Sequence, residues 1–92
     1  MKLISHNNVA PTFQVMYHGI ELTIPMHFLD GYIHTDWEGH VCVSKNKPTI
    51  DVNAGCWSYG GERMYIAKVE LQYREWLNSL VSIKSFNVSK SL

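Results

Sequence analysis

The sequence predicts an α+β domain: a small antiparallel β-sheet of four to six strands with one short C-terminal helix packed on it. Three observations predict it. Residues 12–24 and 32–44 alternate apolar and polar side chains around short turns, the period of half-buried strands. Residues 64–71 alternate in the same way. Tyr73, Trp76, Leu77 and Leu80 then recur at i, i+3, i+4 and i+7, the spacing of one apolar stripe on a helix over about 73–81.

Each element follows from its residues. Residues 1–11 read as a polar lead-in ending at Pro11. His18-Gly19 is a two-residue turn that pairs Tyr17 with Ile20, Val15 with Leu22 and Phe13 with Ile24. One face of this hairpin is Phe13, Val15, Tyr17, Ile20, Leu22 and Ile24; the other is Gln14, Met16, Glu21 and Thr23. Pro25 ends it, because proline has no N–H for a ladder. In the second hairpin Asp36-Trp37-Glu38-Gly39 forms a type I turn with Gly39 left-handed, which pairs Asp36 with His40. That register puts Ile33, Thr35, Val41 and Val43 on a core face, and Tyr32, His34, Asp36, His40, Cys42 and Ser44 on an outward polar face. Pro48 interrupts the next segment, and Asn53-Ala54-Gly55 and Gly60-Gly61 are turn signals around Cys56-Trp57-Ser58-Tyr59. In the strand 64–71, Tyr65, Ala67, Val69 and Leu71 share one face, and Met64, Ile66, Lys68 and Glu70 the other. Residues 84–92 read as a loose tail, with Phe86 able to dock back.

Ninety-two residues make one domain, 1–92, with a compact core over 12–83 and less ordered ends at 1–11 and 84–92. A hydrophobic fraction of 46% and an aromatic fraction of 12% favour folding. Net charge is zero, and eight scattered Lys/Arg make no basic patch, which argues against nucleic acid as a partner. A neutral chain is also prone to self-association, so a homo-oligomer is compatible with it. The start of the chain holds only the two-residue apolar run Leu3-Ile4, and no apolar stretch approaches the roughly 18 residues of a membrane span. Cys42 and Cys56 therefore read as free thiols.

Four constellations bear on chemistry. His34, Cys42, Asp36 and His40 share the outward face and offer zinc-ligand atoms. Flat cross-strand neighbours do not converge tetrahedrally, however, and the spacing of a metal motif is lacking, so no metal or other cofactor is expected. Cys56 in Gly55-Cys56-Trp57 has no base fixed beside it, and a small buried thiol is the better reading. Trp57, Tyr59, Tyr32 and Trp37 lie in or beside turns, with Arg63, Lys45 and Lys47 near in sequence. An aromatic nucleotide pocket could be built from these, and so could a simple cap on the core. Trp37 beside Glu38 at a turn tip cannot join the core of its own hairpin; it either anchors a protein interface or folds back over the sheet.

The landmarks Ile24-Pro25, Tyr32-Ile33-His34-Thr35-Asp36-Trp37-Glu38-Gly39-His40-Val41, Lys47-Pro48, Cys56-Trp57, Gly60-Gly61, Ile66-Ala67-Lys68-Val69-Glu70-Leu71 and Trp76-Leu77-Asn78-Ser79-Leu80 occur in that order. In this the chain resembles a group of small bacteriophage and prophage accessory proteins, over about two thirds of its length. It departs from them at His34 and Cys42, where the group carries small residues. The resemblance implies no catalytic residues. It implies a phage-encoded, non-enzymatic protein in the host cytoplasm that binds and inhibits a host protein, with counter-defence as the leading role. The alternative is a sponge that sequesters a nucleotide-derived signal in an aromatic pocket. Candidate binding residues are Trp37, Glu38, His34, His40, Tyr32, Trp57, Tyr59 and Arg63.

Overall fold

The computed structural model describes residues 1–6, 12–51, 53–54, 56–58 and 60–86. It shows nine strands: β1 (Lys2–His6), β2 (Thr12–Tyr17), β3 (Ile20–Pro25), β4 (Tyr32–Thr35), β5 (His40–Ser44), β6 (Thr49–Asp51), β7 (Cys56–Ser58), β8 (Arg63–Glu70) and β9 (Val81–Ser82). A five-stranded antiparallel sheet runs in the order β1-β8-β5-β4-β9. β2 with β3, and β6 with β7, form two separate hairpins.

Both sequence-derived registers are the ones observed. Phe13, Val15 and Tyr17 face Ile24, Leu22 and Ile20 across β2–β3. His18 and Gly19 both take positive φ, 47° and 85°, the requirement of a type I′ turn. Across β4–β5, Ile33 faces Val43, His34 faces Cys42 and Thr35 faces Val41. The apolar face of the β2–β3 hairpin lies on the sheet. Val15, Tyr17, Leu22 and Ile24 join Ile33, Val41, Val43, Ile66, Ala67 and Val69 in one core, completed by Phe28 and Ile83. Fully burying one such aliphatic side chain contributes roughly 1.5–3 kcal/mol.

The expected α+β class is not what forms. Among the described residues the chain is mostly β, and its helical pieces are 3₁₀ turns of three or four residues. The helix expected over 73–81 is a single 3₁₀ turn, Glu75–Asn78. Arg74 just before it is left-handed, with φ 59°, so the helical phase is broken one residue after Tyr73. Tyr73 is 90% exposed and does not share a stripe with the half-buried Trp76, Leu77 and Leu80. A segment this short gains too few hydrogen bonds to offset helix nucleation. Ser79 instead turns its hydroxyl back onto the Trp76 carbonyl at 2.7 Å.

The ends also differ from expectation. Lys2–His6 of the expected lead-in is an edge strand on β8. The half-buried Met1 pairs through its amine with Glu75 at 3.1 Å and ties that edge to the 3₁₀ turn. Residues Ile83–Ser85 form a 3₁₀ turn, and Phe86 packs against the core. The remainder of both expected loose ends, 7–11 and 87–92, lies outside the described residues.

Strand β8 does not hold a strict period of two. Val41 faces Ala67 but Cys42 faces Tyr65, so Ile66 is the extra residue of a bulge. Ile66, Ala67 and Val69 therefore all enter the core, and Met64 packs against it. Tyr65 and Lys68 face the other way, beside Cys42 and His40.

Candidate functional site

The candidate site is the second face of the five-stranded sheet, away from the β2–β3 hairpin. Its frame is the Asp36–His40 turn. Asp36 Oδ1 accepts the Glu38 N–H at 3.0 Å and the His40 N–H at 2.9 Å, while the Asp36 N–H donates to the His40 carbonyl at 3.0 Å. Gly39 has φ 92°, and a Cβ there would strike the Val69 carbonyl oxygen. The Val69 N–H donates to Gly39 O at 2.8 Å and fixes the turn to β8. On this braced turn Trp37 is 60% exposed, and Glu38 is exposed beside it. The His40 ring lies 3.3 Å from Asp36 Oδ2 and 3.9 Å from a Glu38 oxygen, both through Nδ1.

The face divides into two halves. Over His34, Cys42 and Ser44 the expected outward surface is buried. Trp57 of the β6–β7 hairpin covers it. Its Nε1–H donates to the Thr35 carbonyl at 3.0 Å, and its ring lies 5.4 Å from His34 and 6.4 Å from Trp76. The sequence pattern missed this cover because polar residues lie beneath it. His34 is 1% exposed. Burial drives its pKa down to about 4, against an upward pull from Asp36 and with a further downward push from Arg63. The roof is locked from the side by Ser79, whose hydroxyl accepts the Thr35 N–H at 2.9 Å. Tyr17 donates to the Ser79 carbonyl at 3.0 Å and meets the Thr35 hydroxyl at 2.7 Å; burial pushes the Tyr17 phenol up to about 12.

The other half is open. His40 and Tyr65 meet with ring centres 5.6 Å apart, and Tyr65 is 48% exposed. Ser5, His40, Tyr65, Ala67 and Lys68 line a cavity of about 260 Å³. A second, shallower groove of about 600 Å³ runs beside the roof, walled by Pro48, Ile50, Trp57, Leu77 and Leu80 with Thr49 and Asn78 at its polar edge.

The sequence-derived candidates are thus not one site. Trp37, Glu38 and His40 belong to the open half and its rim. His34 and Trp57 form the covered half. Tyr32 is half-buried between Ser44 and Ser82, and Arg63 is exposed at the start of β8. Tyr59 lies outside the described residues. The four-residue ligand set weighed for zinc is split: His34 and Cys42 lie in the buried half, while Asp36 and His40 group with Glu38, their ligand atoms within 4.8 Å of one another. Cys42 and Cys56 are thiols rather than a disulfide, but Cys56 is exposed rather than buried, because it stands on the outer hairpin. Tyr65, Lys68 and Ser5 were missed. The bulge at Ile66 hides the first two from a period-of-two reading, and Ser5 falls in the segment that reads as a polar lead-in.

Among the described residues no helix is long and apolar enough to cross a membrane. Comparison of the chain with known protein families, curated proteins and solved structures finds no match.

Proposed function

We propose that this protein acts without catalysis, by binding another protein through the Trp37 turn and the open half of the sheet beside it. The observation that supports this reading is Trp37: a large aromatic side chain, mostly exposed, on a turn braced by four hydrogen bonds to and from Asp36. Trp and Tyr anchors on rigid elements bring much apolar area to an interface at little entropic cost. Tyr65 extends the apolar area, and Glu38, His40 and Lys68 supply a polar rim. The partner is a host protein and the role inhibition, with counter-defence as its setting and the host cytoplasm as its place. That part of the proposal rests on the ordered landmarks of the sequence and their resemblance to phage accessory proteins.

The test is capture of the partner from host lysate with wild-type protein and with Trp37→Ala, followed by affinity measurement on the purified pair. A partner whose Kd weakens at least about tenfold in Trp37→Ala, at unchanged fold, supports the reading. A partner bound equally well by both contradicts it. A nucleotide sponge is the second reading, favoured by Trp57 as one wall of the larger groove. Among the described residues the lining of that groove carries no Lys or Arg to hold a phosphate, so the protein partner is preferred.

A further inference from the structure

The smaller cavity on the open half is built differently from the rest of the surface. β1, β8 and β5 are neighbours in the sheet. Ser5 and His40 are both registered opposite Lys68, one from each side. Directly opposed residues project to one face, with strands spaced about 4.8 Å apart. Ser5, Lys68 and His40 therefore form one row across three strands. Tyr65, in ring contact with His40, closes the row at its side. Ala67, between Tyr65 and Lys68 in the chain, completes the lining of the cavity.

The chemistry of that lining has one sign. Ser5 and Tyr65 offer hydroxyls, Lys68 an ammonium and His40 an imidazole, all able to donate hydrogen bonds. Among the described residues, no carboxylate lines the cavity. Among the described residues, none lies within ion-pair distance of Lys68. Asp36 and Glu38 stand nearby, but both meet His40 at Nδ1. Their contact leaves the Nε2 edge of the ring for a ligand. The cavity volume of about 260 Å³ suits a group the size of phosphate and falls below the usual range for larger ligands.

We propose that Ser5, His40, Tyr65 and Lys68 form a binding site for a phosphoryl group, free or carried by a small molecule. Lys68 supplies the charge, the two hydroxyls and His40 supply directional hydrogen bonds, and the exposed Tyr65 ring is placed to contact whatever the phosphoryl group is attached to. The site shares His40, Tyr65 and Lys68 with the proposed protein interface but not Trp37, so binding of a small anion and the effect of Trp37→Ala on a protein partner can fail separately.

The test is a titration of the full chain with inorganic phosphate, and separately with phenyl phosphate, followed by amide NMR against chloride at matched ionic strength. Saturable shifts centred on Ser5, His40, Tyr65 and Lys68, weakened at least tenfold by Lys68→Gln and retained in Lys45→Gln, are the expected result. The tighter of the two probes identifies whether the group is free or carried. Shifts that never saturate, that spread evenly over the lysines, or that persist unchanged in Lys68→Gln overturn the proposal. If Lys68→Gln does not fold, Tyr65→Ala, which removes an exposed ring, decides in its place for phenyl phosphate: unchanged affinity counts against the site, and weakened affinity supports it.

Discussion

The two halves of the outer sheet face are built from similar residues and have opposite fates. His34 and His40 stand on paired strands of one hairpin, and by register both belong to the same face. His34 is sealed under Trp57 and driven toward permanent neutrality; His40 remains partly exposed beside Asp36 and Tyr65. What separates them is Trp57 of the β6–β7 hairpin, which packs on His34, while His40 stays partly exposed. A polar residue on a strand is therefore not by itself a surface residue. The element that covers it decides whether it stabilises the fold or meets a partner.

Removing the cover should give the largest effect. Among the described residues of β6 and β7, Trp57 is the one that is not exposed. Trp57→Ala loses its packing on His34 and Trp76 and removes one donor from the Thr35 carbonyl, which keeps the Ser79 hydroxyl at 3.2 Å. A cost of about 2–3 kcal/mol is expected for a half-buried Trp, or a fall in Tm of more than about 8 °C by calorimetry. The same variant should let the His34 pKa rise toward its ordinary value, read by the ring proton shifts in NMR.

Acid should reach the covered half next. The folded His34 pKa of about 4 lies below the ordinary 6.5, so between these values the unfolded chain binds the extra proton. The stability that neutral His34 contributes is complete above pH 6.5 and is lost as pH falls toward 4. On the order of 2–3 kcal/mol is expected to go over that range, by denaturant titration at each pH. His34→Gln should flatten this part of the profile whatever its own stability.

Ser79→Ala tests the lock beside the roof. It strips the partner from the buried Thr35 N–H and removes the hydroxyl bond to Trp76 O, for an expected loss of about 1–2 kcal/mol. On the open half, Trp37→Ala should change stability by less than about 0.5 kcal/mol. If Trp37→Ala unfolds the chain, the division between halves is wrong at its most exposed residue.

Much of this fold can be read in the sequence, for local reasons. The β2–β3 register follows from His18-Gly19 and a clean apolar alternation, and the β4–β5 register from Asp36 and Gly39. These are short-range constraints that side-chain period and turn chemistry express directly. Three features are not local. The Ile66 bulge needs β5 to reveal that Cys42, not its neighbour, faces Tyr65. The missing helix reflects the left-handed Arg74 and the pull of Thr35 on Ser79, which lies 44 residues away. The burial of His34 depends on where a distant hairpin lands. The tip of the candidate site, Trp37 with Glu38, was legible because a turn residue has few other places to go. The row of Ser5, Lys68 and His40 was not, because it exists only once three strands are aligned.

The division of the outer face is tested most directly by acrylamide quenching of tryptophan fluorescence. Trp57→Phe/Trp76→Phe leaves Trp37 as the one emitter, and Trp37→Phe leaves the roof pair. The expected result is quenching of Trp37 close to that of free tryptophan and strong protection of Trp57 and Trp76. Equal quenching in the two variants, or a protected Trp37, would contradict the account.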